Sequence, residues 1–162
     1  MNQVTSTGDA GQVGRVIIGQ IHASDDEPIR LYYRKLPSNE LGGIYFAHEL
    51  HETLGDTDDI LVDMIGSNGR SAPNPENGIA LGELFSYEII NQGADLEVVI
   101  RRGDHDGEII ASTVFDMSES GYDNLGADEW MYFKAGAYTQ NNTGDDDDFD
   151  MVTFYRLANT HD

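Results

Sequence analysis

The chain has 162 residues, of which nine are Lys or Arg and thirty are Asp or Glu, giving a formal charge of −21 and a pI of about 4.2. So acidic a surface repels nucleic acids and anionic lipid, whose binding proteins need basic patches to displace condensed counterions, so neither nucleic acid nor a membrane is expected as a partner. With 39% hydrophobic residues and no cysteine, the chain can pack one core of ordinary domain size, about 100–150 residues, but cannot build a disulfide framework or a thiolate metal site.

Apolar residues recur with period two between clusters of Gly, Asn, Asp and Pro, the pattern of an all-β sandwich or barrel. It predicts eight or nine strands, over Gly14 to Ala23, Ile29 to Leu36, Gly43 to Glu49, Ile60 to Ile65, Ala80 to Asn91, Leu96 to Arg102, Glu108 to Phe115, Trp130 to Tyr138 and Asp150 to Leu157. No segment holds a helical stripe for more than two turns. Ser67-Asn68-Gly69 and Ala72 to Gly78 combine fixed proline φ with residues that tolerate positive φ, which predicts a long mobile loop and a candidate lid. Gly103 to Gly107 reads as a hairpin turn. Asn141 to Asp148 is polar, ends in four aspartates and reads as a solvated charge run. No apolar run approaches the ~18 residues that span a bilayer, and Met1 to Gly8 lacks the charged and apolar regions of a signal peptide. High acidity suits a salty medium, where self-repulsion is screened within about 8 Å, and points to a marine or halotolerant source.

Two strands carry polar chemistry. In Val16-Ile17-Ile18-Gly19-Gln20-Ile21-His22, Gln20 and His22 fall on one face and Ile21 points to the core. An amide beside an imidazole can hold a carboxylate and supply a base near neutral pH; taken alone, the pair reads first as chance polarity on a solvated face. In Met131 to Gln140, odd positions give a core face of Met131, Phe133, Ala135 and Ala137, and even positions give Tyr132, Lys134, Gly136, Tyr138 and Gln140. Gly136 in mid-strand marks a place where a ligand or another backbone comes close. The tyrosines and lysine read as a floor for a sugar ring bearing anionic groups.

Gln20-Ile21-His22 resembles the Gln-Ile-His motif of the polysaccharide lyase family seven alginate lyases, and Tyr132 to Gln140 resembles that family's Tyr-Phe-Lys-Ala-Gly-x-Tyr-x-Gln motif in full. Leu31 to Pro37, Ile44 to His48 and Phe85 to Ile89 are similar to the family as well. The resemblance implies a β-jelly roll of two antiparallel sheets, the concave one forming a cleft for alginate, a polymer of mannuronate and guluronate. It implies cofactor-independent β-elimination in which Gln20 hydrogen-bonds the uronate carboxylate, His22 helps neutralise it and serves as base for guluronate, and Tyr138 protonates the leaving oxygen and for mannuronate also takes the proton. Lys134, Gln140, Tyr132 and the nearby cation Arg34 are assigned to substrate binding, and Ile21 in the middle of its motif leans toward guluronate. A polymeric substrate implies a secreted or periplasmic enzyme.

The family's Arg-Ser/Thr-Glu-Leu-Arg motif, whose arginine shares the carboxylate clamp, has no match here; Arg15 is the sole cation before Gln20. The resemblance is thus to a domain truncated at its N-terminus. Its open strand edges predict either a complementing N-terminal segment or self-association. Three further patterns read as structural. His48-Glu49-Leu50-His51-Glu52 has its histidines three apart after a strand, where a zinc-protease helix needs four. Asp104 to Glu108 lacks the spacing of a calcium loop and reads as a turn, and no metal site is assigned, although Asp145 to Asp148 could collect calcium loosely. Asn141-Asn142-Thr143 fits the glycosylation pattern, which is short enough to arise by chance.

Overall fold

The computed structural model describes residues 1–55, 58–122 and 130–160. Among them the alternating segments form nine strands: β1 Arg15–His22, β2 Ile29–Arg34, β3 Leu41–His48, β4 Ile60–Ile65, β5 Ile79–Ala80, β6 Phe85–Gln92, β7 Asp95–Arg102, β8 Glu108–Asp116 and β9 Tyr132–Thr139. The one helical element described is a single turn at Glu52–Leu54. Two antiparallel sheets result, one ordered β4-β3-β2-β1-β9 with β5 paired to β3, the other β6-β7-β8. This is the jelly-roll sandwich that the alternation and the motifs imply.

The core lies between the sheets. Val16, Ile18, Ile21, Ile29, Leu31, Tyr33, Ile44 and Phe46 of the large sheet meet Leu96, Val98 and Ile100 of β7. Each such burial contributes about 1.5–3 kcal/mol, which suffices without a disulfide. The faces alternate as expected with one exception that matters. The register of β1 shifts between Ile17 and Gly19 against both β2 and β9. Strict alternation from Arg15 would send Gln20 into the core; the irregularity restores Arg15, Ile17, Gln20 and His22 to one face. Gly19 makes it possible, because a Cβ there would lie 2.9 Å from the Tyr87 ring of β6, whose hydroxyl donates to Ile18 O at 2.7 Å.

Two strand predictions need correction. The stretch Ala80 to Asn91 is broken: Gly82 turns at φ +80° and donates its N–H to Met1 O, so β5 and β6 are separate. Asp150 to Leu157 forms no strand, only a bridge from Met151 to Gln3. An alternating pattern states which faces a strand would have, and a ladder also needs a neighbour along its length. The Ser67 to Gly78 loop is held rather than loose. Asp63 Oδ1 accepts from the backbone N and side-chain Nδ2 of Asn68 at 2.8 Å, Asn74 Oδ1 accepts from the N–H groups of Glu40 and Leu41 at 2.9 Å, and Pro75 is buried.

The expected core face of β9 is also not covered. Phe133 is 38% exposed and Ala135 and Ala137 are exposed. Tyr87 of β6 closes over Gly19 of β1, and β9, at the end of its sheet, has its outer edge unpaired among the described residues.

Candidate active site

Strand registry lays the cleft face out as rows. Tyr138 of β9 stands opposite Ile17 of β1, which stands opposite Tyr32 of β2, itself opposite Tyr45 of β3. The next row runs Lys134, Gln20, Arg30, Ala47, and beyond it Tyr132 faces His22. Directly opposed residues share a face, so residues more than a hundred positions apart become neighbours. Gln20, His22, Lys134, Tyr132 and Tyr138 are thereby brought together as the two motifs imply.

Each side chain has a definite setting. The Gln20 amide is buried, at 5% exposure, and its Nε2 has no hydrogen-bond partner among the described residues. A buried donor left unpaired costs about 1–3 kcal/mol, and such groups commonly mark where a ligand completes the bonding. The His22 ring stacks on Tyr132 at 5.4 Å, and Lys134 Nζ lies 5.1 Å over the same tyrosine. His22 Nε2 lies 3.1 Å from Glu27 Oε1, and Nδ1 meets the Ala23 carbonyl. Tyr138, 55% exposed, offers its hydroxyl to the cleft. Gln140 is bound within the protein, its Oε1 accepting from Tyr32 OH at 3.1 Å.

Tyr32 stacks on Tyr45 with ring centres 4.7 Å apart, and the Arg15 guanidinium lies 5.5 Å over Tyr32. Burial pushes the Tyr45 hydroxyl up to about 12 and raises that of Tyr32 as well, so both remain neutral donors. Arg34 lies at the far end of the face and fastens loops, Nη1 donating to Asn68 O at 2.7 Å and Nη2 to Ala10 O. Burial holds its guanidinium below the ordinary arginine range.

The placement of charge is uneven. Arg30 pairs with Asp59 at 2.6 Å, Arg101 with Glu88 at 3.0 Å, and Arg102 with Glu83. Among the described residues, Arg15, Arg34 and Lys134 make no carboxylate pair although the chain carries thirty acidic side chains. On the cleft face Arg15 and Lys134 thus stand without a carboxylate partner among the described residues, whereas Arg30 and His22 face Asp59 and Glu27, and screening by salt leaves remote carboxylates little say there.

The other patterns are structural. His48 is fully buried, with Nδ1 at 2.7 Å from Pro28 O and Nε2 at 2.7 Å from Ser120 Oγ, and His51 caps the short helical turn. Among the described residues, the one group with metal-ligand proximity is Asp104, His105 and Asp106, all exposed on a turn. Asn141 Nδ2 donates to Thr7 O at 2.7 Å, so that amide is engaged in the fold. Sequence reasoning passed over Glu27 and the buried Tyr32–Tyr45 pair. Glu27 closes the acidic turn Ser24-Asp25-Asp26, which reads as solvated, and only the position of His22 five residues earlier could have singled it out.

A jelly roll whose cleft sets an unpaired amide, an imidazole, a lysine and a tyrosine on two adjoining strands defines a carbohydrate-active class of protein. The family model described as "Alginate lyase" (Alginate_lyase2) matches residues 1–161, and the chain belongs to that family. It is 51% identical, over an aligned length of 168 positions, to an alginate lyase of Klebsiella pneumoniae, covering 99% of this chain and 52% of that protein. The crystal structure of the alginate lyase from Klebsiella pneumoniae superposes with a TM-score of 0.81 at 47% identity, over 91% of this chain and 52% of that one. The exolytic PL7 alginate lyase AlyA5 from Zobellia galactanivorans superposes with a TM-score of 0.68 at 27% identity, over 87% of this chain and 57% of its own. The chain thus spans about half the length of the relatives it matches.

Proposed function

We propose that this chain carries the catalytic cleft of an alginate lyase that breaks the glycosidic bonds of a mannuronate and guluronate polymer by β-elimination, leaving unsaturated uronate ends. The single observation that carries the reading is the buried Gln20 amide, whose Nε2 has no hydrogen-bond partner among the described residues, set opposite Lys134 and two residues from His22 on one face. The proton to be removed lies α to a carboxylate and is very weakly acidic. Its removal builds negative charge on that carboxylate, which donors and cations must already be placed to receive. Gln20 donates to the carboxylate, Lys134 and His22 supply positive charge, and the exposed Tyr138 hydroxyl reaches the reacting carbon and the leaving oxygen. Tyr132 gives a flat floor for a sugar ring. Gln140 and Arg34 act at the margin, Gln140 by holding Tyr32 and Arg34 by holding the loops at the cleft end.

A second reading rests on one observation, the outer edge of β9, unpaired among the described residues, with Phe133, Ala135 and Ala137 exposed beside it. It takes this chain as a module that binds alginate and turns it over only when a further strand, bearing the family's arginine motif, pairs with that edge beside Tyr138. A complementing segment covers the apolar face in one molecule; self-association covers it in two. We place the protein outside the cytoplasm, secreted or periplasmic, where a polymer of this size is met.

The test is incubation of the chain with alginate while following the ultraviolet absorbance of the conjugated double bond that elimination creates. A rise in absorbance supports the lyase reading. Binding without any rise sinks it for the chain alone, and adding a segment with the arginine motif then decides between complementation and a plain binding module.

A further inference from the structure

Cations are scarce in this chain, nine against thirty acids, and three of them gather at one end of the cleft face. Arg15 opens β1 and stands directly opposite Arg34 at the end of β2, so both share the face that carries Gln20 and His22. Arg34 is buried, at 7% exposure, and its two Nη groups donate to Asn68 O and Ala10 O, one carbonyl from each of two loops that meet here. Arg70 arrives on the first of these loops and packs against Gly11 in the second, where a Cβ would sit 3.6 Å from its Nε. The half-buried Arg15 lies 5.5 Å over the Tyr32 ring, and its side chain bonds the hydroxyl of Tyr45, which is stacked on Tyr32.

This end lacks its counter-charge. Among the described residues none of the three arginines pairs with a carboxylate, and Nε of both Arg15 and Arg34 is buried without a hydrogen-bond partner. Burial holds the Arg34 guanidinium below its ordinary range, and Arg15 and Arg70 both push it further the same way, so each stands within repelling distance of Arg34. Asp63, opposite Tyr45 on β4, does not answer them: its Oδ1 accepts from the backbone N and Nδ2 of Asn68. Like charges held together cost folding free energy, and buried charges are ordinarily paired. Three guanidinium groups left so in a chain with thirty acids make a place for an anion from outside, and the planar fork of arginine matches a carboxylate.

We propose that Arg15, Arg34 and Arg70 form a distal subsite of the cleft that seats the carboxylate of a uronate other than the reacting one, with Arg15 and the exposed Arg70 in contact and buried Arg34 adding its charge. The proposal rests on the reading of the cleft as one that takes a polyuronate, and it adds where a second unit of that chain is held. Arg15 precedes Gln20 by five residues. At about 3.3 Å per strand residue, with one residue taken up by the irregularity at Ile17 and Gly19, the two positions lie about 13 Å apart along β1. That is longer than one sugar ring, so the carboxylates at Gln20 and at the arginines belong to different units of one chain. The subsite therefore favours long substrates over short ones.

Side-chain NMR of the intact chain, carrying Tyr138→Phe to slow turnover, tests this with a saturated alginate hexamer as the probe. The expected result is that the Nε–H signals of Arg15 and Arg70 and the side-chain amide of Gln20 all move on titration, and that a neutral glucan hexamer moves none of them. Arg70→Gln should weaken the Kd for the alginate hexamer about two- to fivefold, while Arg101→Gln, on β7 of the other sheet, leaves it unchanged. Movement at Gln20 with still arginines overturns the subsite and leaves the proposed function standing. Movement at the arginines with a still Gln20 supports the subsite and counts against the role given to Gln20; no movement at either place overturns both. Equal movement of the arginines with sodium sulfate at the same charge concentration overturns the proposal, because any anion then suffices, and so does an Arg70→Gln protein that binds the hexamer as tightly as its parent. Should Arg70→Gln fail to fold, the titration of the parent decides.

Discussion

His22 and His48 occupy two regions of the same sandwich, and each has its ring nitrogens engaged, yet their settings differ in kind. His48 is fully buried between Phe115 and Tyr122, with a backbone carbonyl at one nitrogen and the Ser120 hydroxyl at the other. A hydroxyl can donate as well as accept, so the neutral ring is satisfied there. His22 has a carboxylate where His48 has a hydroxyl, and its side chain keeps 19% of its surface open. One oxygen's chemistry separates a histidine packed in the core from one that faces a carboxylate at the cleft. Neither residue type nor burial alone would have told them apart.

The sharpest way to break this contrast is to remove the hydroxyl proposed to reach the reacting carbon and the leaving oxygen. Tyr138→Phe keeps the ring and deletes the hydroxyl of a half-exposed residue, so the expected outcome is a fall in kcat of about 10²–10⁴-fold with an unchanged melting temperature. Steady-state absorbance kinetics beside a thermal melt check it; a residual rate within about tenfold of wild type removes Tyr138 from the chemistry.

Next in size is Gln20→Leu. The amide's Nε2 has no partner in the unliganded protein, so its loss leaves stability level or slightly higher, while turnover falls about 10²–10³-fold, the usual effect of deleting one donor to developing charge. Equal losses of stability and rate would instead make Gln20 an ordinary buried amide.

On the other side of the contrast the effect is on folding. Burial lowers the His48 pKa below its ordinary value of 6.5, so the native state resists protonation there and the unfolded chain does not. A depressed value means stability that is present above about 6.5 and is lost as pH falls toward the folded value. The melting temperature of the wild type should decline between pH 7 and 5, and His48→Gln, less stable at pH 7 by about 1–3 kcal/mol, should show a shallower decline. A parallel decline in both proteins would detach His48 from the acid limb.

Much of this was readable in the chain because two short strands carry dense signals. The nine residues from Tyr132 to Gln140 alternate cleanly, and Gln20-Ile21-His22 places two polar side chains around one apolar residue. What was not readable depends on partners. The register shift at Ile17 and Gly19 arises from Tyr87, about seventy residues away, closing over a missing Cβ. The exposure of Phe133 depends on where the second sheet stops, and alternation along β9 carries no information on that. Glu27 belongs to the site only because the β1–β2 turn folds back toward His22.

The smallest expected effect concerns the aspartates read as a solvated run, and there the contrast between charge that is solvated and charge that is bonded can be sharpened once more. Asp148 accepts from the backbone N–H and hydroxyl of both Ser6 and Thr7, at 2.6–3.1 Å, and those bonds hold its carboxyl down at about 2. Asp150 nearby accepts from the Thr5 N–H at 3.0 Å, so the segment before β1 is clasped to the segment after β9. Because the Asp148 value is depressed, its contribution is present above about pH 4 and fades as pH falls toward 2. Asp148→Asn should therefore loosen residues 1–14 at neutral pH, seen as faster proteolytic clipping there and a small drop in melting temperature, while the same change at Asp146, an exposed neighbour with no hydrogen bond among those described, should do neither. Equal clipping of both variants would return Asp148 to the solvated run. A clasp that loosens selectively would mean that Asp148, beside Asp150, helps to fix the segment leading into β1, and with it Arg15 over Tyr32.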